Sequence, residues 1–449
     1  MGVARLDSLA LAIERFADDW PEALAVIDGA RTWSWSDLHT LSHRYASELA
    51  GVRGTTDVVF LPAGGEALAL LAACEVAGLR AILVAPPYSE TRALAIRETF
   101  AARRVVAASG DSIRILAGAD TPVAAEDAAT PAILVLTSGT TGAPKCAVHT
   151  WSTLSAAVKE RDSYAERRWM IAYPLSHFAA LQVVAQCVFN RGTLVIPRDF
   201  GAPAALHALR DQGVEYLCAT PTYMRQVLRA SSQADWDAMA LAHVTMGGEI
   251  VDQPLLDSLR ARRPGLELTH TYASTELGAM VSVRDGRAGF DAALADGNDL
   301  AIRDGELFAR RSHRSMVSYV GDDAAPADEW VATGDLVEIV DGRALFRGRT
   351  TDVINVGGYK VNPLAIEAVI REIEGVRDVL VIGRKSSITG HLIKAVVCGE
   401  STVDPAALQE AITRLCTERL PAYMVPRLFE FVDQLERTAA QKVARSSSS

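Results

Sequence analysis

The residues with the clearest chemical potential form a stretch rich in glycine and hydroxyl groups, Thr137-Ser138-Gly139-Thr140-Thr141-Gly142-Ala143-Pro144-Lys145. Its glycines let the backbone approach an anion closely, its hydroxyl groups can donate hydrogen bonds, and its lysine supplies positive charge. This combination indicates a phosphate-binding loop, with a polar hairpin turn as the alternative. A Walker A loop is excluded, because Pro and Cys stand where that motif needs Gly and then Ser or Thr around the lysine.

The elements around this loop follow a repeated β-α pattern. A short apolar strand over 132–136 precedes the loop, and the apolar runs that follow alternate with helical segments. The predicted helices cover 153–167, 179–189, 203–212, 221–229 and 253–262, and the predicted strands cover 170–173, 193–197, 215–219, 243–246 and 267–272. Such alternation predicts parallel sheets covered by helices, which bind ligands at the carboxyl ends of their strands. Because Gly139, Gly247 and Tyr272 each follow a predicted strand, we expect them to approach one crevice.

After Arg284 the alternation of apolar strands and helical segments gives way to short segments. Asp-Gly pairs at 285–286, 304–305 and 341–342 separate short segments and predict hairpins. A smaller α+β part begins after Arg349, with predicted helices over 363–372 and 405–419. We therefore predict an α/β protein with a large domain over residues 1–350 and a small domain over residues 351–449.

Composition excludes several classes of function. Lys and Arg total 45 against 55 Asp and Glu, and this net charge of −10 argues against a nucleic-acid-binding protein. The six scattered cysteines are typical of reduced, buried thiols. The N-terminus resembles an amphipathic helix, and the most apolar stretch is interrupted by Glu75 and Arg80, so we predict a cytoplasmic protein with no membrane partner.

Three further segments match, in order, the motifs of the adenylate-forming superfamily, which includes acyl- and aryl-CoA synthetases. Tyr272-Ala273-Ser274-Thr275-Glu276 resembles the aromatic-Gly-x-Thr-Glu motif of this family, and 333–336 resembles its Thr-Gly-Asp motif. The segment 347–360 resembles its hinge and glycine loop. The resemblance implies a large domain of mixed or parallel sheets with a small β-barrel-like part, followed by a small, mobile α+β domain.

The resemblance also implies which residues bind ATP and Mg²⁺. The glycine-rich loop would hold the β- and γ-phosphates, Thr275 the α-phosphate, Glu276 the metal, and Asp335 the ribose hydroxyls. The implied nucleotide-binding residues are Thr137, Ser138, Gly139, Thr140, Thr141, Gly142, Lys145, Gly247, Gly248, Glu249, Tyr272, Ala273, Ser274, Thr275, Asp335 and Arg349.

The small domain would change position between two half-reactions. Lys442 corresponds to the lysine that stabilises negative charge during adenylation, although Gln441 stands where the family has Gly. The implied hinge is Thr351, where relatives commonly have Asp or Lys. After rotation, Gly357 and Gly358 would line a tunnel for the pantetheine arm of CoA or of an acyl carrier protein.

The pocket for the carboxylic acid is the least defined part of the predicted site. His177 matches a position that borders the acid and the thiol tunnel in acyl-CoA ligases, and it is also expected to be catalytic. The other candidate walls are Phe178, Leu181, Thr220, Met246, Thr271 and Met280, although packing in the core would explain such residues equally well. Thr271 stands where many relatives have Gly, which favours a compact aryl or short acyl acid.

The predicted function is activation of a carboxylic acid by ATP to an acyl-adenylate, followed by transfer to a thiol. An o-succinylbenzoate–CoA ligase is one alternative, since its Pro-Lys-x-Ala-Val-His stretch resembles 144–149. A non-catalytic nucleotide-binding relative is another, because Ala273, Cys146, Thr351 and Gln441 depart from the family pattern. A Rossmann oxidoreductase is disfavoured, since no G-x-G-x-x-G follows a strand. The expected oligomeric state is a monomer or a homodimer.

Overall fold

The computed structural model describes residues 7–29, 31–49, 54–62, 64–86, 88–118, 131–137, 144–324, 326, 328–386 and 390–435. The chain divides into two compact units. The first unit comprises Met1–Arg287 and Arg311–Glu329, and the second comprises Ala288–Arg310 and Trp330–Ser449. The domain boundary predicted after residue 350 lies inside the second unit, in a single 3-10 turn over Thr350–Asp352. That boundary, and the division into domains at 350 and 351, stays a prediction.

The helices and strands follow one another in a largely alternating order. Up to residue 155 they are α1 (Leu9–Asp19), β1 (Leu24–Asp28), β2 (Arg31–Ser34), α2 (Trp35–Glu48), β3 (Thr56–Phe60), α3 (Gly65–Val76), β4 (Arg80–Val84), α4 (Glu90–Thr99), β5 (Arg104–Ser109), β6 (Ser112–Gly118), β7 (Ala132–Thr137), β8 (Lys145–His149) and α5 (Trp151–Ser155). From there to residue 283 they are β9 (Arg168–Ile171), α6 (Phe178–Val188), β10 (Thr193–Ile196), α7 (Ala202–Asp211), β11 (Tyr216–Ala219), α8 (Pro221–Ala230), α9 (Gln233–Ala238), β12 (His243–Gly247), α10 (Gln253–Arg262), β13 (Glu267–Ser274) and β14 (Gly278–Val283). The remaining elements are β15 (Phe290–Asp291), β16 (Leu300–Arg303), β17 (Glu306–Arg310), β18 (Ser318–Tyr319), β19 (Trp330–Val340), β20 (Arg343–Arg349), β21 (Ile354–Val356), β22 (Tyr359–Val361), α11 (Pro363–Ile370), β23 (Val376–Ser386), β24 (Gly390–Gly399), α12 (Pro405–Arg419) and β25 (Leu428–Phe431).

The first sheet has the strand order β14-β13-β12-β11-β9-β10-β1-β2. The strands from β13 to β1 pair in parallel, and β14 and β2 pair antiparallel at the two edges. Parallel strands covered on both faces must be apolar throughout, and β11 accordingly buries Leu217, Cys218 and Ala219. The helix after β11 begins at a capping residue followed by proline, since Thr220 accepts a hydrogen bond from the Tyr223 amide.

The second sheet belongs to the same unit and has the order β18-β8-β7-β4-β3-β5-β6. Strands β5, β3, β4 and β7 are parallel, and β6, β8 and β18 pair antiparallel with their neighbours. A continuous core of buried side chains joins helices α1, α2, α3 and α6 to strands of both sheets. The predicted α/β class, with mixed and parallel sheets covered by helices, is confirmed.

The prediction of one helix over 153–167 is wrong. Helix α5 ends at Ser155, and the only further helical residues of this segment form a 3-10 turn over Asp162–Tyr164. The backbone amides of Lys159 and Arg161 donate to the side chains of Gln186 and Asn190, at 3.0 and 2.7 Å. Side chains from around α6 therefore take the place of the carbonyl acceptors that a longer helix would have supplied.

The second unit contains two further sheets. The third sheet is antiparallel with the order β15-β20-β19-β17-β16, in the region predicted to form hairpins. Asp304-Gly305 and Asp341-Gly342 close its hairpins, and all four residues have positive φ, as type I′ turns require. Asp285-Gly286, in contrast, closes no hairpin, because β14 and β15 belong to different sheets.

The fourth sheet, with α11 and α12, forms the smaller α+β part predicted at the C-terminus. Its strand order is β22-β21-β24-β23, and β25 pairs with β24. Glu367 of α11 is fully buried and accepts hydrogen bonds from Arg371 and from the Val381 amide, both at 3.0 Å. Such pairing is what allows a carboxylate to lie in an apolar core.

The structure also bears on the predictions for the cysteines and for membrane-spanning segments. All six cysteines are buried free thiols, as predicted. Within the described ranges, no helix is both long and apolar enough to cross a lipid bilayer.

Candidate active site

The carboxyl ends of neighbouring parallel strands in the first sheet carry many of the predicted site residues. Ala219 at the end of β11 pairs with Met246 of β12, and Gly247 pairs with Thr271 of β13. Thr220, the Gly247–Glu249 segment and the end of β13 therefore lie side by side at one edge of the sheet. This is the edge at which parallel sheets bind ligands.

Three of the predicted nucleotide-binding residues, Gly247, Gly248 and Glu249, fit closely against that edge. A Cβ atom on Gly247 would lie 3.2 Å from the Thr271 carbonyl oxygen, so glycine allows the two backbones to approach. Gly248 has a φ of +81°, which favours glycine. The Glu249 carboxylate accepts a hydrogen bond of 2.9 Å from the Thr222 amide, and it thereby caps the first turn of α8.

The turn between β13 and β14 carries Thr275 and Glu276. Ser274 begins the turn by accepting a 3.1 Å hydrogen bond from the Leu277 amide. The Glu276 carbonyl accepts a hydrogen bond from the Met316 amide. Gly278 ends the turn at a φ of +73°, where an added Cβ would lie 2.4 Å from the Arg314 carbonyl oxygen. The backbone of the turn is thus fixed at both ends.

His149, the last residue of the 144–149 stretch but not predicted to be a site residue, binds the backbone of this turn. It lies at the end of β8, is fully buried, and has Nε2 at 2.9 Å from the Thr275 carbonyl and Nδ1 at 3.0 Å from the Thr153 hydroxyl. Because a carbonyl only accepts, Nε2 carries the proton. Burial lowers the pKa of His149 from 6.5 to about 4, so the ring is neutral. His149 thereby links the second sheet to the Thr275–Glu276 turn of the first.

Phe178, predicted to line the acid pocket, packs against this histidine. Its ring centroid lies 5.1 Å from that of His149, and it is 7% exposed. His177 precedes it as the N-cap residue of α6, is partly buried, and donates its backbone amide to the Pro174 carbonyl. These two residues are therefore next to the His149–Thr275 contact.

The other predicted pocket walls are divided between the core and the edge of the sheet. Leu181 and Met246 are fully buried in two different core clusters, so the structure does not bring them together. Thr220 is fully buried as a helix cap. Thr271 hydrogen-bonds Ser282 across β13 and β14 at 3.2 Å, and Met280 of β14 is partly exposed.

The two ends of the predicted phosphate loop are adjacent. Thr137 is the last residue of β7, Lys145 is the first of β8, and the two pair directly across the strands. The loop residues between them, Ser138, Gly139, Thr140, Thr141 and Gly142, lie outside the described residues. The described ends therefore fix where the loop leaves and rejoins the second sheet.

Tyr319 is the second functional residue that sequence reasoning missed. Its hydroxyl donates to Glu276 Oε1 at 2.9 Å, and the Thr137 side chain lies near the same hydroxyl. The Lys145 ammonium lies 5.0 Å from the centroid of its ring. Burial and the nearby Glu276 charge raise the pKa of Tyr319 to about 12, so the hydroxyl keeps its proton. Tyr319 therefore brings together three groups that were predicted separately.

The second unit holds Asp335 and Arg349, two of the predicted nucleotide-binding residues. Asp335 of β19 pairs with Arg349 of β20, and the Arg349 Nε donates to Asp335 Oδ1 at 3.0 Å. Arg349 also donates to the Thr333 carbonyl at 3.1 Å, while about half of its side chain stays exposed. The ion pair orients the Asp335 carboxylate, which retains capacity to accept further hydrogen bonds.

The remaining predicted residues lie further along the second unit. Thr351 is in the 3-10 turn after β20, and its hydroxyl donates to Asp352 at 3.3 Å. Gly357 and Gly358 form the turn between β21 and β22 with φ values of +58° and +90°. Lys442 lies outside the described residues, so its predicted role stays a prediction.

Known proteins resemble this chain over most of its length. The family model described as "AMP-binding enzyme" matches residues 13–306, and the one described as "AMP-binding enzyme C-terminal domain" matches residues 365–442. The 2-succinylbenzoate–CoA ligase of Bacillus licheniformis is 28% identical over 348 residues, which cover 71% of this chain and 69% of that protein.

Solved structures share the fold over nearly the whole chain. The o-succinylbenzoate CoA synthetase from Bacillus subtilis, in complex with its acyl-adenylate intermediate, superimposes with a TM-score of 0.74 at 23% identity and covers 96% of each chain. An anthranilate CoA ligase in complex with anthranoyl-AMP gives a TM-score of 0.80 at 19% identity, covering 98% of this chain and 96% of that one.

Proposed function

Because the chain belongs to the family of AMP-binding enzymes, we propose that it is an AMP-forming acid–thiol ligase. In the first half-reaction a carboxylate oxygen attacks the α-phosphorus of ATP, and the bond to pyrophosphate breaks. In the second, a thiol attacks the acyl carbon, AMP leaves, and the thiol proton is released. The observation that carries this proposal is the grouping of Glu276, Lys145 and Thr137 around Tyr319 in the first unit.

The residues of this grouping fit a magnesium nucleotide. Mg²⁺ is commonly held by one or two carboxylates together with phosphate oxygens, and Glu276 offers such a carboxylate on a fixed turn. When bound, the metal would neutralise charge on the phosphates. Lys145 and the loop 138–142 would bind the β- and γ-phosphates, and Thr275 the α-phosphate. His149 holds the Thr275 carbonyl and so orients this segment.

The other predicted roles rest on family resemblance. Asp335, oriented by Arg349, would accept hydrogen bonds from the ribose hydroxyls. Lys442 would stabilise the negative charge that develops as pyrophosphate leaves. Thr351 would act as the hinge, and Gly357 and Gly358 would leave room for a pantetheine arm. In this proposal the protein acts in the cytoplasm as a monomer or a homodimer.

We propose a compact aryl or short acyl acid as the substrate, and CoA or a carrier-protein phosphopantetheine as the acceptor. The names of the relatives support an aromatic acid, because those proteins act on 2-succinylbenzoate and anthranilate. The specific alternative is 2-succinylbenzoate–CoA ligase activity, which the similarity to the Bacillus licheniformis protein favours.

A non-catalytic nucleotide-binding protein is the second alternative. Against it, Cys146, one of the departures from the family pattern, is a buried core residue of β8 and leaves the neighbouring Lys145 exposed at the site. The acidic, hydroxyl and basic groups expected around the phosphates are all retained.

The test is ATP–pyrophosphate exchange with a panel of acids: benzoate, anthranilate, 2-succinylbenzoate, a short fatty acid and a long one. We expect exchange with at least one compact acid and none without acid. Exchange with 2-succinylbenzoate alone would favour the specific alternative, and exchange with no acid despite ATP binding would favour a non-catalytic protein. Adding CoA or a loaded carrier protein and measuring AMP release then identifies the acceptor.

A further inference from the structure

Tyr319 occupies an unusual position in the first unit. It belongs to β18, a strand of two residues that pairs antiparallel with β8, with Tyr319 opposite Ala147. This short strand is the edge of the second sheet, yet the Tyr319 hydroxyl reaches Glu276, which follows β13 of the first sheet. The residue therefore connects the metal-binding carboxylate of one sheet to the phosphate-loop strands of the other.

The direction of the Tyr319–Glu276 hydrogen bond follows from the chemistry of the two groups. An ionised carboxylate only accepts, so the single proton of the Tyr319 hydroxyl points to Glu276 Oε1. This hydrogen bond occupies one oxygen of Glu276 and leaves the carboxylate with a second one.

The ring of Tyr319 has a separate contact. Lys145 Nζ lies 5.0 Å from the ring centroid, within the range of a cation–π interaction. Lys145 and Glu276 therefore contact different parts of one side chain, the first the ring and the second the hydroxyl.

We propose that Tyr319 is a positioning residue for the magnesium nucleotide: its hydroxyl fixes Glu276 so that Oε2 binds the metal, and its ring keeps Lys145 available for the phosphates. This inference rests on the proposed function. It predicts that the hydroxyl matters for the metal-dependent part of ATP binding, and that the ring matters for the part that does not need metal.

The experiment compares Tyr319→Phe, Tyr319→Leu and the wild-type chain by isothermal titration calorimetry with ATP, with Mg²⁺ and with EDTA. Tyr319→Phe should weaken Mg-ATP binding about tenfold and leave ATP binding in EDTA unchanged, because only a hydrogen bond to a charged group is lost. Tyr319→Leu should also weaken ATP binding in EDTA by about threefold, through loss of the ring beneath Lys145.

The matched control is Tyr223→Phe. Tyr223 is 1% exposed, and its hydroxyl has no hydrogen-bond partner among the described residues. This control and Tyr319→Phe should melt within a few degrees of each other, whereas only Tyr319→Phe should change Mg-ATP affinity.

Four outcomes would contradict parts of this proposal. Equal Mg-ATP affinity in wild type and Tyr319→Phe, or an equal loss with and without metal, would overturn the role of the hydroxyl. A Leu variant that binds ATP in EDTA like the Phe variant would overturn the role of the ring. A wild-type chain that binds no Mg-ATP would overturn the proposed function as well, so the two failures can be told apart.

Discussion

Replacing His149 with Gln should make the first unit less sensitive to acid. His149 is fully buried, and burial lowers its pKa from 6.5 to about 4. The unfolded chain therefore binds a proton that the folded chain does not, so stability is complete above about pH 6.5 and decreases as the pH falls towards about 4. Glutamine retains an N–H group that can donate to the Thr275 carbonyl but does not titrate.

The size of the effect follows from the shift. The difference between 6.5 and about 4 corresponds to about 3 kcal/mol once both states are protonated. Over the narrower range from about pH 7 to about pH 5, the wild-type chain should lose about 2 kcal/mol through this residue. Another buried histidine, His243, also has its pKa lowered by burial, but it is unchanged in the variant and cancels in the comparison.

The assay is urea unfolding of the ligand-free chain at both pH values, followed by tryptophan fluorescence. Of the seven tryptophans, only Trp330 lies in the second unit, so the signal reports mainly on the first. His207→Gln, which removes an exposed imidazole, is the control. If the His149→Gln variant lost as much stability between the two pH values as the wild type, the buried neutral imidazole could not be the cause.

Three other substitutions test the proposed site and the turn that carries Glu276. Glu276→Gln should raise the Mg²⁺ concentration needed for half-maximal ATP–pyrophosphate exchange, and an unchanged dependence would contradict its role as a metal ligand. Lys442→Ala should abolish exchange but spare thioester formation from a supplied acyl-adenylate, so equal loss in both half-reactions would argue against its role in adenylation. Gly278→Ala should destabilise the first unit by about 2 kcal/mol or more, because its Cβ would lie 2.4 Å from the Arg314 carbonyl oxygen. Gly29→Ala is the control, because Gly29 has a φ of +59° with open space around it, and it should lower the free energy of unfolding by less than Gly278→Ala. Equal losses in the two variants would mean that backbone strain alone, and not the close contact, causes the effect.

Local signals in the sequence were sufficient for most elements of the fold. The helix predicted over 253–262 has the predicted bounds, because Asp252 caps its first turn and a proline lies in that turn. The prediction of a helix over 153–167 was wrong because residues elsewhere in the chain determine the structure of this segment. Gln186 and Asn190 accept the hydrogen bonds of that segment, and no pattern within the segment itself indicates this.

The same distinction applies to the site. The ends of the phosphate loop and the Thr275–Glu276 turn could be predicted, because each is a short stretch whose residue types suit phosphate or metal. Tyr319 and His149 could not, because their importance depends on which strands are neighbours. Only the pairing of β18 with β8 shows that a residue 43 positions beyond Glu276 reaches its carboxylate.

The late position of β18 in the chain has a consequence for biosynthesis. The first unit is interrupted after Arg287 and resumes at Arg311, so a ribosome must add the intervening residues before this unit can be completed. Until Ser318 and Tyr319 emerge, β8 has no partner on one side, and its unpaired backbone groups with the apolar side chains of 146–148 form an open edge of the kind that invites aggregation. A nascent or truncated chain that ends near Arg287 should therefore need chaperone protection and gain the capacity to bind nucleotide only after this strand is added.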